Sequence, residues 1–412
     1  MVIDNPESHL ADNINLIPHS PRIIYIQYTN PAAYPPLEHS SHILADNGWE
    51  VYFLGIIHPH SMSTAMKFPL YPKIYEKYLT GVAPGFRQKL HFLWFTTWCL
   101  AWILRIKPQY LYVSDALTTP VALFLHKITH VPVIYHEHDS PESEDGLSNL
   151  SRFEQIIARS RISLARLAAF CVLPNQARAD VFQKNTGTSR PVLTVWNSPA
   201  RDEVLPPRKK MAADVPLTLW YHGSINSFRL PLNLIRAIAK IPERVNLHFA
   251  GYETSGSRGY IDQLMQIADE VNCQKYVHFF GTLPRQQIIK LGHQCAVGIA
   301  FASNSFSINT SDQFFIGATN KPFDYIASGL ALLVTDGPSF QEMFVNTGYG
   351  LSCNPDDVDS IVHALQWFCD HREETYQMGE AGRQRILMDW NYETAFRPVL
   401  QAIEETHIER YT

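Results

Sequence analysis

IYIQYTNPAAYPPLEHSSHILADNGWEVYFL, residues 24–54, decides the fold. It opens on an apolar run rich in isoleucine and tyrosine, beginning with Arg22 as RIIYIQY. A Pro-rich loop, NPAAYPPLEHS, follows, and then a helical segment, SSHILADNG, that Gly48 stops. WEVYFLGI reads as the next strand. Strand, loop, helix and strand in that order begin a parallel, doubly wound sheet.

The same rhythm runs outward from this unit. A helix is expected over about 87–106, then strand QYLYVSD, helix TTPVALFLHKIT and strand PVIYHEHD. A polar loop leads to a helix at about 151–168, strand FCVLPN, helix ARADVFQKN and a closing PVLTVWNSP. PARDEVLPPRKKMAADVP, residues 199–216, is rich in proline and charge and has the composition of a linker. The alternation restarts at LTLWYHG and continues through VNLHFAGY, YVHFFGT, AVGIAFAS and ALLVTDG, with helical segments between them. The fold class is therefore α/β, with two Rossmann-like doubly wound parallel sheets. The divisions are a tail at 1–20, a first domain at 21–200, a linker at 201–216, a second domain at 217–390 and a last segment at 391–412. Such sheets bind ligands at the carboxyl ends of their strands.

Bulk properties narrow the function. The 412 residues are enough for two cores. With 46% hydrophobic and 18% charged residues the composition is that of a soluble globular protein. The formal net charge of −5 gives no electrostatic case for nucleic acid, and any attraction to an anionic membrane must be local. The six cysteines form no CxxC pair, which reads as reduced thiols in a cytoplasmic protein. The N-terminus has no basic start followed by an apolar run, so no secretory signal is expected.

LHFLWFTTWCLAWILRI, residues 90–106, is shorter than the roughly 20 residues needed to span a bilayer. It reads either as a buried helix or as one lying in a membrane interface. Phe92, Trp94, Phe95, Trp98 and Trp102, with Lys89, Arg105 and Lys107 at the ends, suit an interface. Residues 88–107 are thus the candidate contact with an anionic surface, on the inner face of the plasma membrane.

Four segments carry candidate chemistry. In WYHGSINSFRLPLNLIRAI, 220–238, a strand and turn lead to a helix start, where free N–H groups and Arg229 suit phosphate oxygens. In NKPFDYIASGLALLVTD, 320–336, Asn320, Lys321 and Asp324 open a short helix; an ionised carboxylate there can accept two hydrogen bonds side by side. VPVIYHEHDSPE, 131–142, ends a strand on His136, His138 and Asp139. The His-x-His pair shares one face of an extended chain, but no third ligand has metal-binding spacing. Asp357 and Asp359 form an Asp-x-Asp sequence that reads as an acidic helix start. There is no Walker lysine motif and no G-x-S-x-G elbow.

These segments resemble the retaining family 4 glycosyltransferases of GT-B fold (glycosyl transferases group 1). The resemblance covers nearly the whole chain after residue 20 and is strongest over about 219–390. It matches Gly223 to the glycine of the diphosphate-binding turn and Arg229 to its lysine, with Ser224 in place of an arginine. It puts Asp324 at the ribose-gripping acid, with Asn320 and Lys321 beside it at the diphosphate. It puts His138 near the reacting sugar. A first glutamate often stands eight residues before the ribose acid; here that position is Ile316, and Asp312 is the nearest acid. The loop after the first strand carries Asn30, Pro31 and Ala32 where the family has glycines.

The resemblance implies transfer of a hexose-like sugar from a nucleoside diphosphate sugar to a hydroxyl of a glycan or lipid-linked acceptor. It implies retention of configuration, with no metal or other cofactor. His138, Arg229 and Lys321 would be catalytic, and Gly223, Ser224, Arg229, Asn320, Lys321 and Asp324 would bind the donor. Residues 391–412 would form a helix crossing back to the first domain. Surface polysaccharide or glycolipid synthesis is the expected setting. The alternative is a non-catalytic protein of the same fold that binds sugar nucleotides or serves as a scaffold. An epimerase or phosphorylase on related sugars is a same-fold rival.

Overall fold

The structure is a computed structural model that describes residues 20–58, 66–83, 85–138, 151–212, 214–254, 256–302 and 312–411. The first sheet has seven strands, β1 (Arg22–Ile26), β2 (Glu50–Ile57), β3 (Ile74–Thr80), β4 (Tyr110–Ser114), β5 (Val133–His136), β6 (Phe170–Leu173) and β7 (Val192–Thr194). Their spatial order is β3-β2-β1-β4-β5-β6-β7, and every pairing is parallel. Helices α1 (Pro35–Asp46), α2 (Phe86–Ile106), α3 (Thr119–Thr129), α4 (Arg152–Leu167) and α5 (Gln176–Thr186) connect them.

The second sheet has six parallel strands in the order β10-β9-β8-β11-β12-β13. They are β8 (Leu217–Ile225), β9 (Val245–Glu253), β10 (Val277–Phe279), β11 (Val297–Ala300), β12 (Ala331–Thr335) and β13 (Gly350–Cys353). Its helices are α6 (Leu232–Lys240), α7 (Tyr260–Glu270), α8 (Arg285–Gly292), α9 (Lys321–Ala327), the single turn α10 (Pro338–Phe340), α11 (Val358–Asp370) and α12 (Arg372–Met388). Both sheets reverse strand order at their first strand, between β1 and β4 and between β8 and β11. Those reversals leave crevices at the carboxyl ends of the strands.

Each sheet is covered on both faces, so its central strands are apolar at consecutive positions rather than alternate ones. Ile24 and Ile26 pack into one cluster of the first domain, and Ile23 and Tyr25 into the other. Leu217, Leu219 and Tyr221 likewise face one side of the second sheet, and Trp220 the other. All six cysteines are free thiols within these interiors.

The stretch between Ile57 and Phe86 carries no sequence assignment, yet it supplies the edge strand β3. Its partly exposed Glu76 and exposed Lys77 mark an edge protected by charge.

The last helix, α13 (Tyr392–Tyr411), returns to the first domain. Tyr392, Phe396, Val399 and Ile403 are buried against Ile23, Tyr25, Leu37 and Tyr112. Burying side chains of this size stabilises by about 1.5–3 kcal/mol each. The outgoing and returning chains touch: Tyr392 N–H donates to Pro199 O at 2.9 Å and Arg201 N–H to Glu393 Oε1 at 3.0 Å. The intervening segment is anchored by Arg208, which donates to Gly329 O at 2.7 Å and Cys295 O at 2.6 Å.

Helix α2 buries Phe95, Thr96, Cys99, Ile103 and Ile106. Its other side leaves Phe86, Leu90, Leu93, Trp94 and Leu104 exposed, Leu93 at 63%. Core helix and exposed apolar face are thus both present in one element. No helix among the described residues is long and apolar enough to cross a membrane.

Candidate functional site

A cleft of about 400 Å³ lies between the two sheets. The first domain contributes Tyr34, Pro35 and Pro36 from the start of α1, His138 from beyond β5, and Arg178 and Asn197. The second contributes His222, Gly223, Ser224, Arg229, Asn320 and Lys321. Of the sequence candidates, Gly223, Ser224, Arg229, Asn320, Lys321 and His138 meet here.

The floor on the second-domain side is cationic. Gly223 has φ +108°, and a Cβ there would lie 3.1 Å from Lys321 Cε, so only glycine leaves room for that lysine. Ser224, standing where an arginine was expected from the resemblance, accepts a hydrogen bond from Arg229 Nη1. Asn226 Oδ1 accepts from the N–H groups of Phe228 and Arg229, at 3.2 and 3.1 Å, and turns the chain toward α6. Burial, and then the charge of Arg229, bring the Lys321 pKa down to about 7. Two cations converging at a strand end form a site for an anion with several oxygens.

Asp324 stands differently from expectation. It is only 4% exposed and does not line the cleft. Arg285, at the start of α8, donates Nη2 to its Oδ1 at 2.9 Å and Nη1 to its Oδ2 at 3.2 Å. His222 Nε2 lies 3.3 Å from Oδ2. Trp220 Nε1 donates to His222 Nδ1 at 3.2 Å, which fixes the neutral tautomer with its proton on Nε2. Burial lowers the His222 pKa, and Arg285 and His222 together hold the Asp324 carboxyl below its usual range despite burial. A carboxylate has about four acceptor positions, and three are taken. A grip on both ribose hydroxyls is therefore not open to it; one position on Oδ1 remains.

On the first-domain side, burial draws the His138 pKa down to about 3, so its imidazole is neutral. Neither ring nitrogen has a hydrogen-bond partner among the described residues. His136 packs against it with ring centroids 3.8 Å apart and is itself held by the Tyr112 hydroxyl at 2.6 Å. Between them in sequence, Glu137 is buried and paired with Arg161 at 2.6 and 2.8 Å and with the Tyr135 hydroxyl at 2.7 Å, which pins the end of β5. Among the described residues no three His, Cys, Asp or Glu side chains gather as a metal site. Asp139 lies outside the described residues.

Asp312, the acid nearest Ile316, meets the start of a short helical turn. Its carboxylate accepts from Ser339 N–H at 2.7 Å, Ser339 Oγ at 2.8 Å and Phe340 N–H at 3.3 Å, capping α10. The loop that follows it is gripped from the first domain. Asn175 Nδ2 donates to the carbonyls of Gln313, Phe314 and Ile316, and Arg178 Nε to that of Phe314 at 3.1 Å. Asn197 donates its N–H to Gly317 O at 2.7 Å and Nδ2 to Ala318 O at 2.8 Å. Asn175, Arg178, Asn197 and Arg285 escaped sequence reading. The one available signal was an asparagine at the end of a strand in LPNQ and VWNS.

Two parallel doubly wound sheets facing one cleft, closed by a returning C-terminal helix, define a GT-B fold. Solved structures of that fold superpose on nearly the whole chain. A HepE protein of Anabaena in complex with UDP and glucose has a TM-score of 0.67 at 14% identity, covering 93% of this chain and 99% of its own. Sucrose-phosphate synthase of Thermosynechococcus elongatus gives 0.66 at 15% identity, covering 95% and 98%. A glycosyltransferase of Rickettsia africae gives 0.67 at 11% identity, covering 94% and 98%. No curated protein sequence matches the chain. Residues 216–385, which make up the domain built on the second sheet, match the family Glycosyl transferases group 1.

Proposed function

We propose that the chain transfers a hexose-like sugar from a nucleoside diphosphate sugar to a hydroxyl of a glycan or lipid-linked acceptor, with retention and without a metal. The observation that carries this reading is the convergence of Arg229 and Lys321 on one side of the cleft with a neutral His138, without a hydrogen-bond partner among the described residues, on the other. The cations stabilise charge that grows on the departing diphosphate. His138 meets a hydroxyl of the transferred sugar, with one ring nitrogen able to donate and the other to accept. One ribose hydroxyl donates to the remaining position on Asp324. The HepE structures, one with UDP and glucose and one with UDP-glucose, favour a uridine donor as the first to try.

The acceptor side points to a membrane. Helix α2 carries no acidic residue, exposes an apolar stripe from Phe86 to Leu104, and has Arg87 and Lys89 at one end and Arg105 and Lys107 at the other. That pattern suits a helix lying on an anionic surface, where lipid-linked acceptors for surface polysaccharide or glycolipid are presented.

A thermal-shift screen against UDP, GDP, ADP and their sugars tests the donor reading, because a ligand that binds the folded state raises Tm by mass action. One base series should stand out, and its sugar nucleotide should be consumed when acceptor glycolipid is added. A chain that shifts with no member of the panel is not a sugar-nucleotide enzyme. Binding without turnover would make it a non-catalytic member of the fold.

A further inference from the structure

Arg285 is shared between two carboxylates from different parts of the molecule. On one side it holds Asp324, as described. On the other it donates Nη2 to Glu203 Oε2 at 2.8 Å and Nε to Glu203 Oε1. Glu203 belongs to the segment that joins the two sheets, in a short 3-10 turn over Arg201–Glu203. There it also accepts from the backbone N–H of Ala200 at 3.1 Å, and His39 of α1, in the first domain, lies 3.0 Å from its Oε2. An unbroken row of contacts thus runs from the first domain through the linker to the acid of the donor site: His39, Glu203, Arg285, Asp324, His222.

The placement has physical consequences. A carboxylate as buried as Asp324 stays ionised only beside a compensating charge. Lys321, one turn earlier on α9, also acts on it, but that lysine lines the cleft, where phosphate would engage it. The fork of Arg285 fixes the plane of the carboxylate and decides which oxygen keeps a free acceptor position. The fork is in turn aimed by Glu203, because its Nε and Nη2 edge is spent on that residue. Lysine could neutralise the charge but could not hold two carboxylates in a set geometry.

We infer that Arg285 is the positioning residue of Asp324 and that Glu203 aims it, so that recognition of the donor ribose is set from the interdomain linker. This rests on the reading of Asp324 as the acid that meets ribose. Removing the Glu203 charge leaves Arg285 free to turn, the Asp324 carboxylate loses its orientation, and the distinction between ribose and deoxyribose fades. The diphosphate contacts of Arg229 and Lys321 are untouched.

The test is calorimetry on the full chain with UDP, 2′-deoxy-UDP, 3′-deoxy-UDP and uridine, or the corresponding GDP or ADP set if that base is the one bound. Wild type should prefer UDP to one of the two deoxy forms by about tenfold or more, the worth of a hydrogen bond to a charged acceptor. Glu203→Gln and Arg285→Gln should bring that preference within about threefold, and Arg285→Lys should fall between. In all three the ratio of UDP to uridine affinity should stay at the wild-type value. Glu203→Gln is isosteric and keeps the test open if Arg285→Gln does not fold. A Glu203→Gln protein that keeps the full ribose preference overturns the inference, as does one that loses UDP and uridine affinity without any change in deoxy discrimination. Wild type that binds UDP but ignores both deoxy substitutions removes Asp324 from ribose recognition, and the inference falls with it while the diphosphate site stands. Wild type that binds no nucleotide at all refutes the donor reading itself.

Discussion

Asn197, at the end of the first domain, donates its side-chain amide to Ala318 O of the second domain at 2.8 Å, in the loop just before α9. With Asn175 it makes the two domains meet around the backbone that leads into α9. Asn175→Ala would leave the carbonyls of Gln313, Phe314 and Ile316 without this donor, at a cost of about 1–3 kcal/mol. We expect a lower Tm for Asn175→Ala and a larger radius of gyration by solution scattering, since the domains part more readily. An unchanged radius and an unchanged Tm would mean the contact adds nothing to closure.

Lys321 should take up a proton when the donor binds. Its pKa of about 7 in the unliganded cleft must rise beside a diphosphate. Below pH 7 the lysine is already protonated, so affinity for the sugar nucleotide should be flat there. Above pH 7 each binding event requires a proton, and affinity should fall by up to about tenfold per pH unit. Calorimetry at pH 8 in buffers of different ionisation enthalpy reads the uptake directly. Lys321→Met should abolish both the uptake and the slope; a slope that survives places the titrating group elsewhere.

Substitution of His138 should separate turnover from binding. The ring faces the cleft from the first domain, away from Arg229 and Lys321, so His138→Ala should leave nucleoside diphosphate affinity within about threefold. The turnover number should fall by at least about tenfold, the order expected for loss of one or more hydrogen bonds made to the reacting sugar. Initial-rate kinetics beside nucleotide calorimetry decide the matter. Wild-type turnover in the variant would remove His138 from the site.

The exposed stripe of α2 predicts binding to liposomes that contain anionic lipid. Leu93→Ser with Trp94→Ser removes two of the most exposed apolar side chains, and loss of co-sedimentation with little change in Tm is expected because neither supports the core. Binding should also weaken with salt. A wild-type chain that ignores anionic vesicles at low salt would leave α2 as a core helix with an idle outer face.

Much of this fold is legible in the chain because parallel strands buried on both faces leave continuous apolar runs, such as YLYVS at 110–114, and Gly48 marks where α1 must end. The strand β3 is not legible, since an edge strand is only half covered and its glutamate and lysine mask the pattern. In the site, Gly223, Arg229 and Lys321 stand out because each lies in a compact motif at a strand end or helix start. The state of Asp324 does not, because Arg285 is 39 residues away and Glu203 another 82. Such pairings are created by the packing of α8 and the linker against α9, and nothing local in the sequence announces them. The partners of Asp312 are likewise invisible in the sequence, because Ser339 and Phe340 lie 27 and 28 residues away.

The returning helix α13 makes the second domain an insertion within the first. The strand β1 and the helix α13 belong to the same core, and the second domain hangs between Pro199 and Tyr392, whose backbones are hydrogen-bonded to each other. A second domain exchanged for that of another protein would therefore need two matched junctions rather than one. A single protease cut in the 205–212 stretch would not release either half, because the second junction and the interior contacts of α13 would still hold the pieces in register.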